Sequence, residues 1–152
     1  MQKFQITKNS DIAKITLNSV PDKPGIAAQI FGSLWSHGLN VQLIVSSSAV
    51  EGKTDITFAI ARDDLNYSIL ELKNVKELIG ADGLDINPDA TLISITHPKL
   101  AETPGIGKKI FSTLSKINVN VDAISSTPTC VTCLVSKEEA LRSTRALQKE
   151  FG

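Results

Sequence analysis

An internal repeat constrains the fold of this chain more than any other feature. Residues 24–44 align with residues 104–124 without a gap, at a constant offset of 80, and nine of the 21 aligned positions are identical. Chance similarity between two amphipathic helices would not also reproduce the Pro-Gly pair and the Asn-Val pair. The repeat therefore predicts two copies of one small unit.

Each copy is predicted to run strand, loop, helix, strand, strand, helix, strand. Alternation from Ala13 to Leu17 indicates a half-buried strand, and the apolar spacing from Ile26 to Trp35 indicates a helix that stops near Gly38. The first copy continues with strands at 41–45, 56–60 and 84–86 and a helix at 65–78, with Asn74 as a candidate break and 87–89 as a turn. The second copy has strands at 92–96, 119–125 and 130–135 and helices at 105–117 and 137–150.

The second copy lacks a fourth strand, whereas the strand-like segment Phe4-Gln5-Ile6-Thr7 precedes the first copy. We therefore predict that residues 1–9 complete the second sheet, so that one unit is 10–89 and the other is 1–9 plus 90–152. The fold class is α+β. It comprises two interlocked ferredoxin-like βαββαβ units, with antiparallel sheets and all helices on one sheet face, because right-handed crossovers return to the same side.

The charge balance excludes several partner classes. Sixteen Lys and Arg residues equal sixteen Asp and Glu residues, so no basic excess favours nucleic acid or an anionic membrane. The sequence also has no apolar run of the roughly 20 residues that a spanning helix needs, and no signal-peptide pattern. Two cysteines cannot form a disulfide framework in a chain of 152 residues. These features predict a cytoplasmic globular protein.

Catalytic, metal and cofactor motifs are missing from the sequence. His37 and His97 lie 60 residues apart, with no acidic residue placed to orient either ring, and are predicted to be structural or solvated. Cys130 and Cys133 would point to opposite faces of a strand and are predicted to pack rather than bind metal. We expect no catalytic residue, no metal and no cofactor.

The loop before the first helix is the best candidate binding site. Pro24 fixes φ, and Gly25 removes the Cβ atom where a ligand could approach the backbone. The short side chains of Ala27 and Ala28 leave the first-turn amides open to a carboxylate, and Asp22 could accept hydrogen bonds from an ammonium. The combination suits a free amino acid. The alternative is that Asp22 is simply the N-terminal cap of the helix.

Three motifs carry a resemblance to a known family. The D-x-P-G loop ending at Gly25 is typical of ACT domains, and the strand T-D-I-T-F at 54–58 and the N-V-N-V segment at 118–121 resemble aspartate kinase. Over residues 11–152, the chain resembles the C-terminal regulatory region of that enzyme, which consists of two ACT domains. The segment His97-Pro98-Lys99-Leu100 departs from the glycine- and methionine-containing loop common in the family.

The resemblance implies a regulatory role without catalytic residues. Such regions bind end-product amino acids, lysine and threonine in most cases, at interfaces between ACT domains of a homodimer, and they inhibit a catalytic kinase domain or subunit. The implied effector site uses Asp22, Gly25, Ile26, Ala27, Ser46 and Thr57 of one chain, and Asn118, Asn120 and Val121 of a partner chain.

Other functions remain open at this point. The chain could be a dimerisation platform that senses nothing, or an amino-acid sensor of another enzyme. A ferredoxin-like RNA binder would stack bases on strand aromatics, for which only Phe4 and Phe58 are candidates. A small enzyme on this fold is the last alternative.

Overall fold

A computed structural model describes residues 3–152 and contains six strands and four α-helices in this range. The strands are β1 (Gln5–Pro21), β2 (Val41–Ser46), β3 (Lys53–Ala61), β4 (Gly83–Thr96), β5 (Ala123–Ser126) and β6 (Cys130–Ser136). The helices are α1 (Ile26–Ser36), α2 (Leu65–Ile79), α3 (Ile106–Lys116) and α4 (Ala140–Phe151). The predicted α+β class with two βαββαβ repeats is confirmed.

The chain divides into two compact units. The first unit is Asp11–Pro88, and the second is Asp89–Gly152 together with the N-terminal residues up to Ser10. The strand order is β2-β3-β1-β4 in the first unit and β1-β4-β6-β5 in the second. Strands β1 and β4 are therefore each divided between the units, with one segment in the first unit and one in the second.

The first unit has its core between one sheet face and both of its helices. Buried side chains of β1 and β3 alternate along the strands, which is the reason the sequence pattern has a period of two. Phe58 is fully buried and packs edge-on against Phe31 of α1, with 5.6 Å between ring centroids. The remaining buried members include Ala13, Ile15, Leu17, Ile30, Leu34, Ile56, Ile60, Leu72, Val75 and Ile79.

The second unit repeats this arrangement with its own core. Buried residues of β4 and β6 face the apolar sides of α3 and α4, and Phe4 and Ile6 of the N-terminal segment pack against the same cluster. The ring of Phe4 lies 5.0 Å from that of Phe151 and 4.5 Å from that of His97. The N-terminal residues thus contact residues from the end of the chain.

Three boundaries differ from the sequence expectations. The segments at 4–7 and 13–17 form one strand, and β4 runs through 87–89 where a turn was expected. Their polar middle residues are held extended because β1 and β4 pair with each other, and pairing overrides local propensity. A 3.1 Å hydrogen bond from Thr91 Oγ1 to Ser10 Oγ also joins these two strands. Helix α2 continues through Asn74 to Ile79, because its apolar face is buried on both sides of that residue.

Strand β5 is also shorter than predicted. It begins at Ala123 rather than at residue 119, because its ladder with β6 runs only from the Ala123–Leu134 pair to the Ser126–Val131 pair. Before it, the Asp122 amide donates to Leu134 O at 2.8 Å, and residues 119–121 are not part of the ladder. Val119 is nevertheless buried in the second core.

Candidate functional site

Helix α1 begins at a glycine that adopts a left-handed conformation. Gly25 has φ +88°, and no side chain caps the helix, so the alternative role of Asp22 as a cap is wrong. A Cβ atom on Gly25 would meet nothing within 4 Å, so space is not the reason for a glycine here. The expected close approach to the Gly25 backbone is therefore not seen within this chain, and the positive φ explains the residue instead.

The first turn of α1 leaves backbone donors free. The Ile26 amide donates to Lys23 O at 3.3 Å, and the Gln29 amide donates to Gly25 O at 3.0 Å. The amides of Ala27 and Ala28, which lie between Ile26 and Gln29, donate to no acceptor within the described part of the chain. Free amides at a helix N-terminus, together with the helix dipole, favour an anionic group.

A cavity of about 200 Å³ lies beside this turn. Four of the predicted site residues line it, namely Asp22, Ile26, Ala27 and Ser46. The other lining residues are Pro21, Lys23, Phe31, Ile44, Thr54 and Ile56. The volume is below the roughly 300–1,000 Å³ typical of pockets for drug-sized ligands, so the cavity suits a small molecule. Gly25 instead lines a neighbouring groove of about 480 Å³.

The structure does not bring Thr57 into this cavity. The Oγ1 atom of Thr57 lies 3.0 Å from Oγ1 of Thr16, which faces it from β1, on the sheet face opposite to Phe58. Thr54 and Ile56, which have the other parity along β3, line the cavity instead. Strand alternation around the buried Phe58 is the signal that could have identified Thr54 and Ile56 from the sequence.

The three predicted residues of the second repeat lie together in the second unit. Asn118, Asn120 and Val121 line a depression of about 330 Å³ where α3 leads into β5. Asn118 has φ +57°, a conformation that asparagine tolerates better than most residues. The Asn120 amide nitrogen is 3.4 Å from Oδ1 of Asp122. The two asparagines and Val121 therefore line one depression at the end of the helix.

The second repeat preserves the helix start but not the surrounding loops. Gly105 has φ +82°, and the Lys109 amide donates to Gly105 O at 3.0 Å, as in the first repeat. However, a 3-10 turn at Leu100–Glu102 precedes this start, and no such turn precedes α1. The hairpin between β5 and β6 is three residues long, against six between β2 and β3. The two helix starts therefore have different walls around them.

His37 has an acidic partner that the sequence analysis missed. Its Nε2 atom is 3.2 Å from Oε2 of Glu71, so the expectation that no acidic residue orients this ring is wrong. Glu71 lies 34 positions away on α2, and only the packing of α1 on α2 brings the two together. His97 packs against Phe4, and its Nδ1 accepts a 3.0 Å hydrogen bond from the Lys99 amide.

The cysteines lie on opposite faces of β6. Cys133 is fully buried in the second core, and this burial raises the pKa of its thiol to about 11. The Sγ atom of Cys130 instead accepts a 3.5 Å contact from Thr96 Oγ1. Within residues 3–152, no cluster of histidine, cysteine and acidic residues could hold a metal ion. No helix in the same range is long and apolar enough to cross a bilayer.

Comparisons with known proteins agree with the repeat and with its loop. The ACT domain family model matches this chain twice, at residues 18–74 and 93–151. The chain therefore belongs to the ACT domain family. The matched regions cover both helix starts described above.

The relatives are aspartate kinases, and the match covers only part of them. The chain is 30% identical over 146 residues to the aspartate kinase Ask_LysC of Stutzerimonas stutzeri, covering 96% of this chain but 35% of the relative. It thus spans about a third of the length of the curated relatives it matches.

Solved structures of about the same length as this chain show which third of the aspartate kinases it matches. A structure of aspartokinase alpha and beta subunits superposes with a TM-score of 0.88, at 29% identity over 95% of both chains. The regulatory subunit of aspartate kinase from Thermus thermophilus, in its ligand-free form, gives a TM-score of 0.90 at 26% identity over 97% of both chains. The chain thus corresponds to the regulatory ACT region of aspartokinases, and the kinase domain lies outside the matched part.

Proposed function

We propose that this chain is a feedback-regulatory module of an aspartate kinase, and that its first unit binds an end-product amino acid of the aspartate pathway. The observation that carries this proposal is the cavity of about 200 Å³ that Asp22 and Ala27 both line, beside free first-turn amides. Lysine and threonine are the effectors that the family resemblance implies.

The chemistry of the cavity suits a zwitterion. The amides of Ala27 and Ala28 would receive the ligand carboxylate, which the helix dipole also stabilises. The Asp22 carboxylate would accept hydrogen bonds from the ligand ammonium, and charge-assisted hydrogen bonds of this kind are among the strongest in proteins. Ser46 and Thr54 add hydroxyl groups beside the apolar side chains of Ile44 and Phe31, so a ligand side chain would meet both polar and apolar contacts.

A homodimer would complete this site. The edge strands β2 and β5 expose Ile44 and Ile124, by 48% and 43%, at equivalent positions of the two repeats. The chain has no net charge, but its two units carry net charges of opposite sign. The first unit has ten acidic and six basic residues, and the second has six acidic and ten basic residues. Electrostatic complementarity would favour the first unit of one chain beside the second unit of another. In that arrangement, Asn118, Asn120 and Val121 of the second chain would close the effector cavity.

The catalytic partner would be the kinase segment of the same enzyme, fused to this region or present as a separate subunit. Because the chain spans 35% of its first curated relative, the kinase activity belongs to the remaining part of such a protein. No cofactor is needed for effector binding. We expect the module in the cytoplasm, because it would regulate an enzyme of amino-acid biosynthesis.

A thermal-shift screen against the twenty amino acids tests this function. A ligand at 100 times its dissociation constant stabilises the folded state by about 2.7 kcal/mol, so an effector should give a clear shift. Gel filtration in parallel reports the dimer. A folded dimer that no amino acid stabilises would contradict sensing and would instead support a dimerisation platform.

A further inference from the structure

Helix α2 presents a row of exposed apolar side chains that the effector site does not use. Tyr67, Leu70 and Leu78, called the α2 stripe below, are 62%, 70% and 65% exposed. With 3.6 residues per turn they fall within about 80° of one another around the helix axis. Tyr67 and Leu70 are about one turn apart, whereas the exposed Asn74 lies between Leu70 and Leu78 on the same side of the helix. Large apolar side chains exposed along one helix face mark interaction surfaces in folded proteins.

The second repeat does not share this stripe. A 3-10 turn precedes both α2 and α4, and it aligns the two helices at an offset of 75. At that offset Tyr67 corresponds to Arg142 and Leu70 to Arg145. Arg142 pairs with Glu139 and donates to the Ile117 carbonyl at 2.7 Å. The fold therefore tolerates charge at the positions of Tyr67 and Leu70, and the apolar side chains at these two positions are a property of the first unit.

The stripe adjoins the loop that lines the effector cavity. Leu78 lines the groove of about 480 Å³ together with Pro24 and Gly25. Pro21, Lys23 and Ile26 line both this groove and the effector cavity. The segment 21–26 is thus a shared wall, with the proposed effector on one side and Leu78, the C-terminal residue of the α2 stripe, on the other.

We propose that the α2 stripe and the adjoining groove are the docking surface for the kinase segment of the enzyme. This inference rests on the proposed function, and it adds the surface and the route of the regulation. An effector shifts an equilibrium only through different affinities for two states, so a docking surface must change when the cavity is occupied. A wall common to both sites provides that coupling over one loop.

The occupant follows from what the relatives contain. About two thirds of the curated relative lies outside the match, and one structural neighbour of the same length comes from an aspartokinase with alpha and beta subunits. The docked surface of the kinase segment should present apolar side chains to Leu70 and Leu78. It should also carry a hydrogen-bond acceptor for the exposed Lys23, which lines the groove.

Site-specific photocrosslinking tests the docking surface without any effector. A photoreactive residue replaces Leu70 or Leu78 in the enzyme that contains this chain and its kinase segment, and the matched control replaces Arg145 on α4. We expect crosslinks from positions 70 and 78 to the kinase segment, and none from position 145. Crosslinks from position 78 to a second copy of this chain alone, or no crosslinks, would overturn the proposal.

The double variant L70E/L78E tests the route of regulation. Both side chains are exposed, so the variant should fold and should keep the wild-type thermal shift with the effector. The effector concentration for half-inhibition of the kinase should rise at least tenfold, whereas R145E should inhibit as the wild type does. Unchanged inhibition in L70E/L78E refutes the docking surface. A wild-type protein that shows no effector shift refutes the proposed function instead, and the crosslinking result is independent of it.

Discussion

The Nε2 atom of His37 lies 3.2 Å from Oε2 of Glu71, and this contact joins the end of α1 to the middle of α2. The Ser33 hydroxyl donates to the other carboxylate oxygen of Glu71 at 2.5 Å. In the second unit the equivalent positions hold Ile117 and Ala146, and the helices are joined there by Arg142, which donates to a backbone carbonyl. The two repeats thus hold the same helix pair together with different chemistry.

Replacing Glu71 with alanine should destabilise the first unit by about 1–2 kcal/mol, because Ser33 and His37 both lose a partner and the Glu71 side chain is only 15% exposed. Urea denaturation measures the loss. The control is Glu77→Ala on the same helix, where the side chain is 79% exposed and pairs with the neighbouring Lys76. That change should stay within about 0.5 kcal/mol of the wild type. Equal effects of the two substitutions would show that the contact with His37 is not structural.

Replacing Gly25 with alanine should cost about 1–2 kcal/mol, because an L-residue is strained at φ +88°. Gly32, inside α1, offers the opposite case, since its φ is not positive and a Cβ atom there meets nothing within 4 Å. Gly32→Ala should therefore stabilise the protein by about 0.5–1 kcal/mol. Thermal or urea unfolding of the two variants then distinguishes a glycine with a positive φ, Gly25, from a glycine in ordinary helical conformation, Gly32. A Gly25→Ala variant as stable as the wild type would contradict the strained helix start.

Asp22→Asn should remove most of the thermal shift that the effector produces, while leaving the stability of the free protein within about 0.5 kcal/mol, because Asp22 caps no helix. Calorimetric titration with the effector quantifies the loss. Glu102→Gln, at the equivalent position of the second repeat, is the matched control and should leave binding in the first unit intact. If Asp22→Asn binds the effector with wild-type affinity, the Asp22 carboxylate is not part of the binding site.

Phe4→Ala tests the proposal that residues 1–9 belong to the second unit. Phe4 contacts the rings of His97 and Phe151, so its truncation should cost about 2–4 kcal/mol in the second unit. Hydrogen exchange should then show faster exchange in β6 and α4 than in β3 and α2. The neighbouring exposed residue serves as the control, and Gln5→Ala should be close to neutral. Uniform loosening of both units would contradict the assignment.

Cys133 should make the stability fall at alkaline pH. Its thiol pKa is raised by burial from 9.0 to about 11, so the native state favours the protonated form. The stabilisation is complete below pH 9 and is lost as the pH rises through 11, with about 1.4 kcal/mol gone by pH 10. Comparison of the wild type with Cys133→Val in urea at pH 8 and pH 10 isolates this contribution. Identical pH slopes in the two proteins would contradict it.

Much of the architecture follows from local pattern. The offset of 80 predicts the repeat, and the positions of Ile30, Phe31 and Leu34 place one helix face on a core. The assignment of the strand-like segment Phe4–Thr7 to the second sheet rests instead on the missing fourth strand of the second copy, and it stays a prediction. The repeat and the helix face follow from the sequence because helix and strand periodicities are set by backbone geometry, which each segment carries with it.

The misplaced elements all depend on partners that are distant in the sequence. The polar residues around Ser10 and Pro88 resemble breaks, yet both lie inside long strands because neighbouring strands pair with them. Glu71 cannot be assigned to His37 without the packing of two helices.

The sequence by itself determined the duplicated unit, the loop–helix junction and the residue types on which the proposed amino-acid site rests, because these depend on short segments. The tertiary structure decided which side chains share the cavity, that Gly25 has a positive φ, and that one loop lies between the cavity and Leu78 of the α2 stripe. Those relationships arise from strand register and helix packing, and both are settled by contacts between residues far apart in the chain.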